Sequence, residues 1–252
     1  MKLKSKLLLA LLAASAASFA NAEEAADSLA FNVGVVSQYR YRGIAQTKGD
    51  AALQGGADYT AANGFYAGAW GSTIKWIKES GTANNADAKG PVELDLYGGY
   101  KFEAAGVAYD VGYLRYEYVG NTYNKISGNV NANTDEVYGA ATYDVFTVKY
   151  SYAFSDLFGT ANSKGSAYVD LSATFDLGNG YSFVPHAGHQ KVSNSPNASY
   201  TDFAVTVNKD LGDGLSASVA AISTNAKNVD AFTVNNYNTA KNAVVVGVKY
   251  TF

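Results

Sequence analysis

The sequence has 252 residues, a formal charge of −3, no cysteine, two histidines, 25 glycines and 20 tyrosines. The lack of thiols excludes a disulfide framework, thiolate catalysis and thiolate metal ligation, and the net acidity speaks against nucleic acid as a partner. Charged residues are only 16% of the chain, against roughly 25% in ordinary soluble domains.

The chain opens on MKLKSKLLLALLAASAASFANA. Lys2, Lys4 and Lys6 form a basic start, Leu7 to Ala14 an apolar core, and Ala20-Asn21-Ala22 an A-x-A cleavage site. The apolar stretch is too short for the ~20 residues of a spanning helix. Residues 1–22 are therefore expected to be a cleaved export signal. Its three lysines go with it, so the formal charge moves from −3 to about −6 in the mature segment 23–252.

From there the dominant signal is a period of two. Phe31, Val33, Val35, Tyr39 and Tyr41 alternate with Asn32, Gly34, Gln38, Arg40 and Arg42. PVELDLYGGYKF sets Val92, Leu94, Leu96, Gly98, Tyr100 and Phe102 against Glu93, Asp95, Tyr97, Gly99 and Lys101. FTVKYSYAF repeats the pattern from Phe146 to Phe154. About twelve strands are predicted, near 31–42, 51–61, 64–76, 91–102, 106–118, 134–144, 146–154, 166–177, 181–192, 200–209, 215–224 and 241–252. Arg115 and Glu117 fall on the apolar face of the fifth, which predicts either a bulge or a strand end above a bilayer.

Connection lengths sort by side. AANG, EAAG, the Asp144-Val145 step, LGNG and DLGDG are tight, whereas GIAQTKGD, IKESGTANNADAKG, VGNTYNKISGNVNANT, SDLFGTANSKG, SNSPNAS and NAKNVDAFTVNNYNTA are long and polar. An even number of strands with short turns at one end and long loops at the other is the pattern of an outer-membrane barrel. Outward aromatics at the short-turn end (Tyr59, Phe65, Tyr100, Phe102, Tyr109, Tyr143, Phe146, Phe175, Phe183, Tyr250 and Phe252) read as an interfacial girdle. Tyr39, Tyr41, Tyr113, Tyr152 and Phe154 read as a thinner girdle at the other end. The expectation is an all-β, twelve-stranded antiparallel transmembrane barrel with short periplasmic turns, long extracellular loops and both termini periplasmic, in the outer membrane of a Gram-negative bacterium. Val248, Tyr250 and Phe252 end the last strand in alternation. That strand must close on the first, because hydrocarbon leaves no water for an open edge. The ending also resembles the C-terminal signal read by the barrel assembly machinery.

SQYRYRGIAQTKGDAALQGGADY (37–59), GFYAGAWGS (64–72), ELDLYGGYKF (93–102) and DEVYGAATY (135–143) together resemble the TorF-type porin family of proteobacteria. The resemblance implies an outer-membrane barrel with a channel role and brings no catalytic or substrate residues with it.

Inward positions define the candidate pore lining. Arg40 and Arg42 are expected near the outer mouth of the first strand, with Lys249 on the adjoining last strand nearer the periplasm. Gln54, Asp58, Glu93, Asp95, Tyr97, Asp110 and Glu136 fall on strands two to six, and Lys149, Asp170 and Asp202 on the remaining wall. Basic and acidic walls facing across a narrow lumen would orient a polar solute; paired with each other, the same charges would plug it. Tyr66 and Trp70 point inward, either as an aromatic track for a flat-faced solute or as filling beside Gly55, Gly56, Gly68 and Gly71. The expected function is passive diffusion of small polar solutes without covalent chemistry or cofactor, with outer-membrane lipid and lipopolysaccharide as surroundings. The alternatives are a plugged structural or adhesion barrel and a lipid-facing hydrolase built on His189 with Ser193 and Asn194. The Asp-rich loop NNADAKG reads as a solvated loop or a Ca²⁺ site.

Overall fold

The computed structural model describes residues 27–226 and 231–252; the predicted export signal lies outside them. Twelve antiparallel strands form one closed sheet. They are β1 (Ser28–Val36), β2 (Ala52–Thr60), β3 (Phe65–Thr73), β4 (Val92–Ala104), β5 (Val107–Tyr118) and β6 (Thr134–Tyr143). The second half comprises β7 (Phe146–Ala153), β8 (Ala167–Ala173 continued by Phe175–Gly178), β9 (Tyr181–Lys191), β10 (Tyr200–Gly212), β11 (Leu215–Thr224) and β12 (Ala243–Thr251). Each strand pairs with its sequence neighbours, and β12 closes on β1 through a register that includes Val33↔Tyr250 and Val35↔Val248. The seam is completed by reciprocal backbone bonds of 2.9 Å between Phe31 and Phe252.

The period of two becomes two chemically distinct faces because successive side chains of a strand point to opposite sides of the sheet. Outward lie Leu29, Phe31, Val33, Val35, Val148, Leu171, Val205, Val219 and Val246, all exposed. A contiguous apolar surface of this kind is foreign to a freely dissolved monomer. At the short-turn end the outward rings touch one another: Phe31–Phe252 at 5.9 Å, Tyr250–Phe252 at 5.7 Å, Phe65–Tyr100 at 4.8 Å and Phe102–Tyr109 at 5.1 Å between centroids.

The five tight connections lie at one end. Ala105-Gly106, Asn179-Gly180 and Asp213-Gly214 carry positive φ at both positions, the geometry that matches strand twist in two-residue hairpins. Bulges occur at Asp176/Gly178 and Asp210/Gly212, not in β5. The β4–β5 register runs unbroken from Glu93↔Tyr118 to Ala104↔Val107, so no bulge explains Arg115 and Glu117. Instead, at the loop end of β5, Arg115 binds Glu117 at 2.7 Å and Asp135 at 3.0 Å on the outer face.

Two elements depart from the predicted strands. The third strand stops at Thr73, and Trp76–Ala83 forms an α-helix in the second long loop. The reason is packing: Ile74, Ile77, Ser80 and Gly81 recur at helical spacing and are buried. The first strand stops at Val36, six residues short of the predicted end, and the chain then turns into the barrel.

Candidate functional site

The first long loop, residues 37–51, builds the centre of the lumen. Arg40–Tyr41 and Ile44–Ala45 pair as a small hairpin, with Arg42 at φ 45° and Gly43 at φ 78° forming its turn. An arginine in the left-handed region costs about 1 kcal/mol, and tertiary contacts offset it. The Arg42 guanidinium meets both carboxylate oxygens of Glu136 on β6 at 3.0 and 2.8 Å and the Gln190 side-chain oxygen on β9 at 2.8 Å. Its plane lies 4.3 Å from the centroid of Tyr168 on β8 and 4.9 Å from that of Tyr41. Burial works against the guanidinium charge, but the Glu136 carboxylate together with Tyr41 and Tyr116 holds the group above its ordinary range. At Gly43 an added methyl would stand 2.7 Å from the side chains of Asp202 on β10 and Thr224 on β11. The hairpin leaves from β1 and β2 and touches the wall on the far side of the barrel.

The base of the loop is tied down as firmly. Arg40 donates to the carbonyls of Gly43, Thr239 and Lys241 at 2.9, 3.1 and 2.7 Å. Tyr39 donates its hydroxyl to Glu93 at 2.9 Å and packs edge-on against Trp70; burial, and after it the Glu93 charge, push that hydroxyl's pKa up. Tyr41 bonds the hydroxyl of Tyr116, which donates to Glu136 at 3.1 Å. Lys48 binds Glu79 of the helix at 2.8 Å, and Asn235 of the last long loop donates to the same carboxylate at 2.7 Å. Tyr39, Tyr41, Arg40 and Arg42 are thus neither on the first strand nor at its outer rim. Tyr39 and Tyr41 belong to the loop core and not to an outer girdle, which here retains Tyr113, Tyr152 and Phe154 as exposed rings.

Below the loop, toward the short turns, the inward side chains are polar; Asp58, Tyr97 and Asp110 are half-buried, whereas Tyr66, Tyr138, Tyr168 and Asp202 are buried. Tyrosine rings lie over glycines of adjacent strands: Tyr97 against Gly68, Tyr138 against Gly112, Tyr66 against Gly99 and Tyr168 against Gly188. Trp70 packs beside Gly56, where an added methyl would stand 3.2 Å from its ring. Their hydroxyls hold the acids. Tyr97 donates to Asp58, Tyr66 to Asp110 at 2.6 Å while also bonding the Tyr138 hydroxyl, and Tyr168 to Asp202 at 2.9 Å. His186 lies between Asp170, 3.2 Å from Nδ1, and Asp202, 2.9 Å from Nε2. Gln54 donates to Ser72 at 3.4 Å. Glu93 and Asp95 are buried under the loop, each with one carboxylate oxygen lacking a partner.

The charges interleave and do not form opposed walls. One row of directly paired inward positions runs Lys101↔Asp110↔Ala140↔Lys149↔Asp170↔Gly188↔Asp202. The row climbs from the short-turn end on β4 to the loop end on β10, as strand tilt requires. Lys249 stands on β12 beside Gly34 and Ser216. Sequence reading placed most of these residues, Lys101 included, on the inner face, but did not count Lys101, Tyr138, Tyr168 and Gln190 among the pore lining, although all four share the same period-two positions. His189 is exposed with Nδ1 3.0 Å from Thr201, the Ser193 backbone binds Ser166, and the Asn194 amide binds the Asn162 carbonyl; the three do not assemble into a nucleophilic triad. Asp87 of NNADAKG pairs with Lys89 at 3.2 Å and Lys125 at 3.8 Å. Among the described residues no group of three His, Asp or Glu is arranged to hold a metal.

The closed twelve-stranded barrel is a fold shared with solved porins. A structure described as "KdgM porin" superposes with TM-score 0.55 at 10% identity, covering 88% of this chain and 99% of that one. "NanC porin" gives 0.56 at 13%, covering 88% and 99%. "KdgM porin in complex with disordered oligogalacturonate" gives 0.53 at 10%, covering 89% and 98%. At such identities the likeness is one of fold. No curated protein matches the sequence. Residues 20–252 match the family described as "Bacterial protein of unknown function (Gcw_chp)", and the chain belongs to that family. The family's description does not carry the TorF-type label of the resemblance noted above.

Proposed function

We propose that the protein is a porin-like channel of the Gram-negative outer membrane, passing small polar solutes by passive diffusion through a lumen narrowed by its first loop. The observation that carries this reading is the contrast between the two faces of one sheet. The outer face is exposed hydrocarbon, while the inner face carries acids, lysines, tyrosine hydroxyls and amides around a half-buried vestibule. Such a face needs water against it, whereas the outer one needs lipid. Twelve strands enclose more space than the eight that side chains alone can fill, and here the inserted loop takes up much of the difference. The long loops face the cell exterior and both chain ends the periplasm, the arrangement usual for such barrels. The solved porins of like fold, one of them described in complex with oligogalacturonate, are consistent with transport of small polar molecules.

A second reading, a plugged structural barrel, is favoured by the packing at the loop end. There Tyr116 is 0% and Glu93 1% exposed. Swelling of liposomes containing the refolded protein, with sugars, amino acids and organic acids of graded size, separates the two. Swelling that falls off with solute size is expected of the channel; none with any solute marks the plug.

A further inference from the structure

We infer that the vestibule below the first loop is a binding site for small solutes bearing an oxyanion, a carboxylate or a phosphate, and that Lys101, Lys149 and Lys249 are its recognition groups. This rests on the channel reading above and adds the charge class of its solute.

The acids of the vestibule are engaged by the protein. Asp58 is held by Tyr97, Asp110 by Tyr66, and Asp170 and Asp202 by His186. Arg42, the strongest cation of the lumen, is committed to Glu136 on both oxygens. The lysines are differently placed. Among the described residues, Lys101, Lys149 and Lys249 form no ion pair, although Lys101 faces Asp110 and Lys149 faces Asp170 in direct cross-strand register. Lys101 instead lies 4.3 Å over the ring of Tyr66, and Lys149 3.9 Å over that of Tyr138. These two rings are joined hydroxyl to hydroxyl, so the lysines sit on a rigid, glycine-backed aromatic platform. A ring face attracts an ammonium without consuming its N–H donors, and each ammonium offers three donors and no acceptor.

All three lysines are half-buried inward positions. They sit on β4, β7 and β12, spread around the wall. These ammoniums are kept partly from water, and the acids nearest to them are held by other protein groups and not by direct ion pairs, so their N–H donors are open to an oxyanion brought by the solute. Low-dielectric walls strengthen that attraction across a narrow lumen. What the vestibule offers a solute is thus hydrogen-bond donors of positive charge, while Asp58, Asp110, Asp170 and Asp202 already hold protein donors and the unpartnered oxygens of Glu93 and Asp95 are buried under the loop.

Reversal potentials across planar bilayers in a KCl gradient test the inference, with K101Q/K149Q/K249Q beside the wild type. A unit charge about 7 Å from a permeating ion changes its occupancy by about threefold even at the dielectric constant of water. The wild type is expected to favour chloride, and the triple variant to lose at least that factor. In the same liposomes, glucuronate and glucose 6-phosphate are expected to outpace glucose and glucosamine, and their relative rates distinguish carboxylate from phosphate preference. A conducting barrel with no chloride preference, or one whose preference survives the triple substitution, overturns the anion site and leaves the channel reading standing. If the folded barrel passes no current, the channel reading fails, and calorimetric titration of the detergent-solubilised protein decides the site on its own. Heat from trigalacturonate, absent with maltotriose and absent in the triple variant, upholds the site; no heat, or heat unchanged by the substitutions, overturns it.

Discussion

Arg42 on the inserted hairpin and Glu136 on β6, 94 residues apart in sequence, meet at 2.8 Å with side-chain exposures of only 6% and 2%. The pair fixes the first loop inside the barrel. Fork-on-fork geometry and the Tyr116 hydroxyl satisfy the carboxylate, as a desolvated pair requires.

Removing one partner strands the other. R42A or E136A is expected to destabilise the folded barrel by about 3–5 kcal/mol, whereas the apolar double variant R42M/E136L costs less than either. Urea unfolding of the refolded protein in detergent measures this. Singles and double of equal cost would show that the pair does not hold the loop.

Gly112 and Gly139 make a matched contrast. An added methyl on Gly112 would lie 2.6 Å from the Tyr138 ring and 2.8 Å from the Gly98 carbonyl, whereas on Gly139 its nearest neighbour is 4.0 Å away. G112A is expected to cost about 1–3 kcal/mol by overpacking, and G139A to stay within about 0.5 kcal/mol of wild type. Equal effects in the same unfolding assay would contradict the glycine-backed tyrosine wall.

How much of this was legible in the sequence depends on the range of the interaction concerned. Val92 to Phe102 alternates because each residue's face is set by its immediate neighbours, so the strand, its inner charges and its outer rings could all be read locally. Arg42 could not be placed, since Gln190 and Glu136, which draw it inward, lie far along the chain. A signal was nevertheless present. The predicted strand 31–42 has 12 residues, just over the about 9–11 that cross hydrocarbon, so its length gave only a slight hint that the chain from Tyr39 onward leaves the wall. Helix Trp76–Ala83 escaped for a similar reason, because Trp76 and Ile74 also fit the end of a strand.

Glu79 ties three loops together through Lys48 and Asn235. Its carboxyl is held below the ordinary range by the hydrogen bond from Lys48 first and that from Asn235 second. A depressed value in the folded state means that the contact contributes fully above the unfolded value of 4.5 and is lost as pH falls through the lowered one. Protection of the loop amides, corrected for the pH dependence of intrinsic exchange, should therefore fall on acidification below the unfolded value, and E79Q should remove that dependence. Protection factors unchanged with pH in the wild type would contradict the tie.

Phe252 joins the seam twice, by its backbone bonds to Phe31 and by rings at 5.9 and 5.7 Å from Phe31 and Tyr250. Ring pairs of this kind are worth about 0.5–1.5 kcal/mol each. F252A should lower stability in vitro by that order and depress assembly in cells far more, if Val248, Tyr250 and Phe252 are also read by the assembly machinery. Losses of equal size in both settings would assign the ending a structural role alone.

The central claim, a water-filled polar lumen whose width is set by the first loop, is tested most directly by single-channel conductance in planar bilayers. The comparison is between the wild type and a variant with residues 38–46 replaced by a short glycine-serine turn, each shown to be folded by circular dichroism. A small, steady current that grows severalfold once the hairpin is gone is the predicted result. A folded barrel that passes no current in either form, or the same current in both, would contradict it.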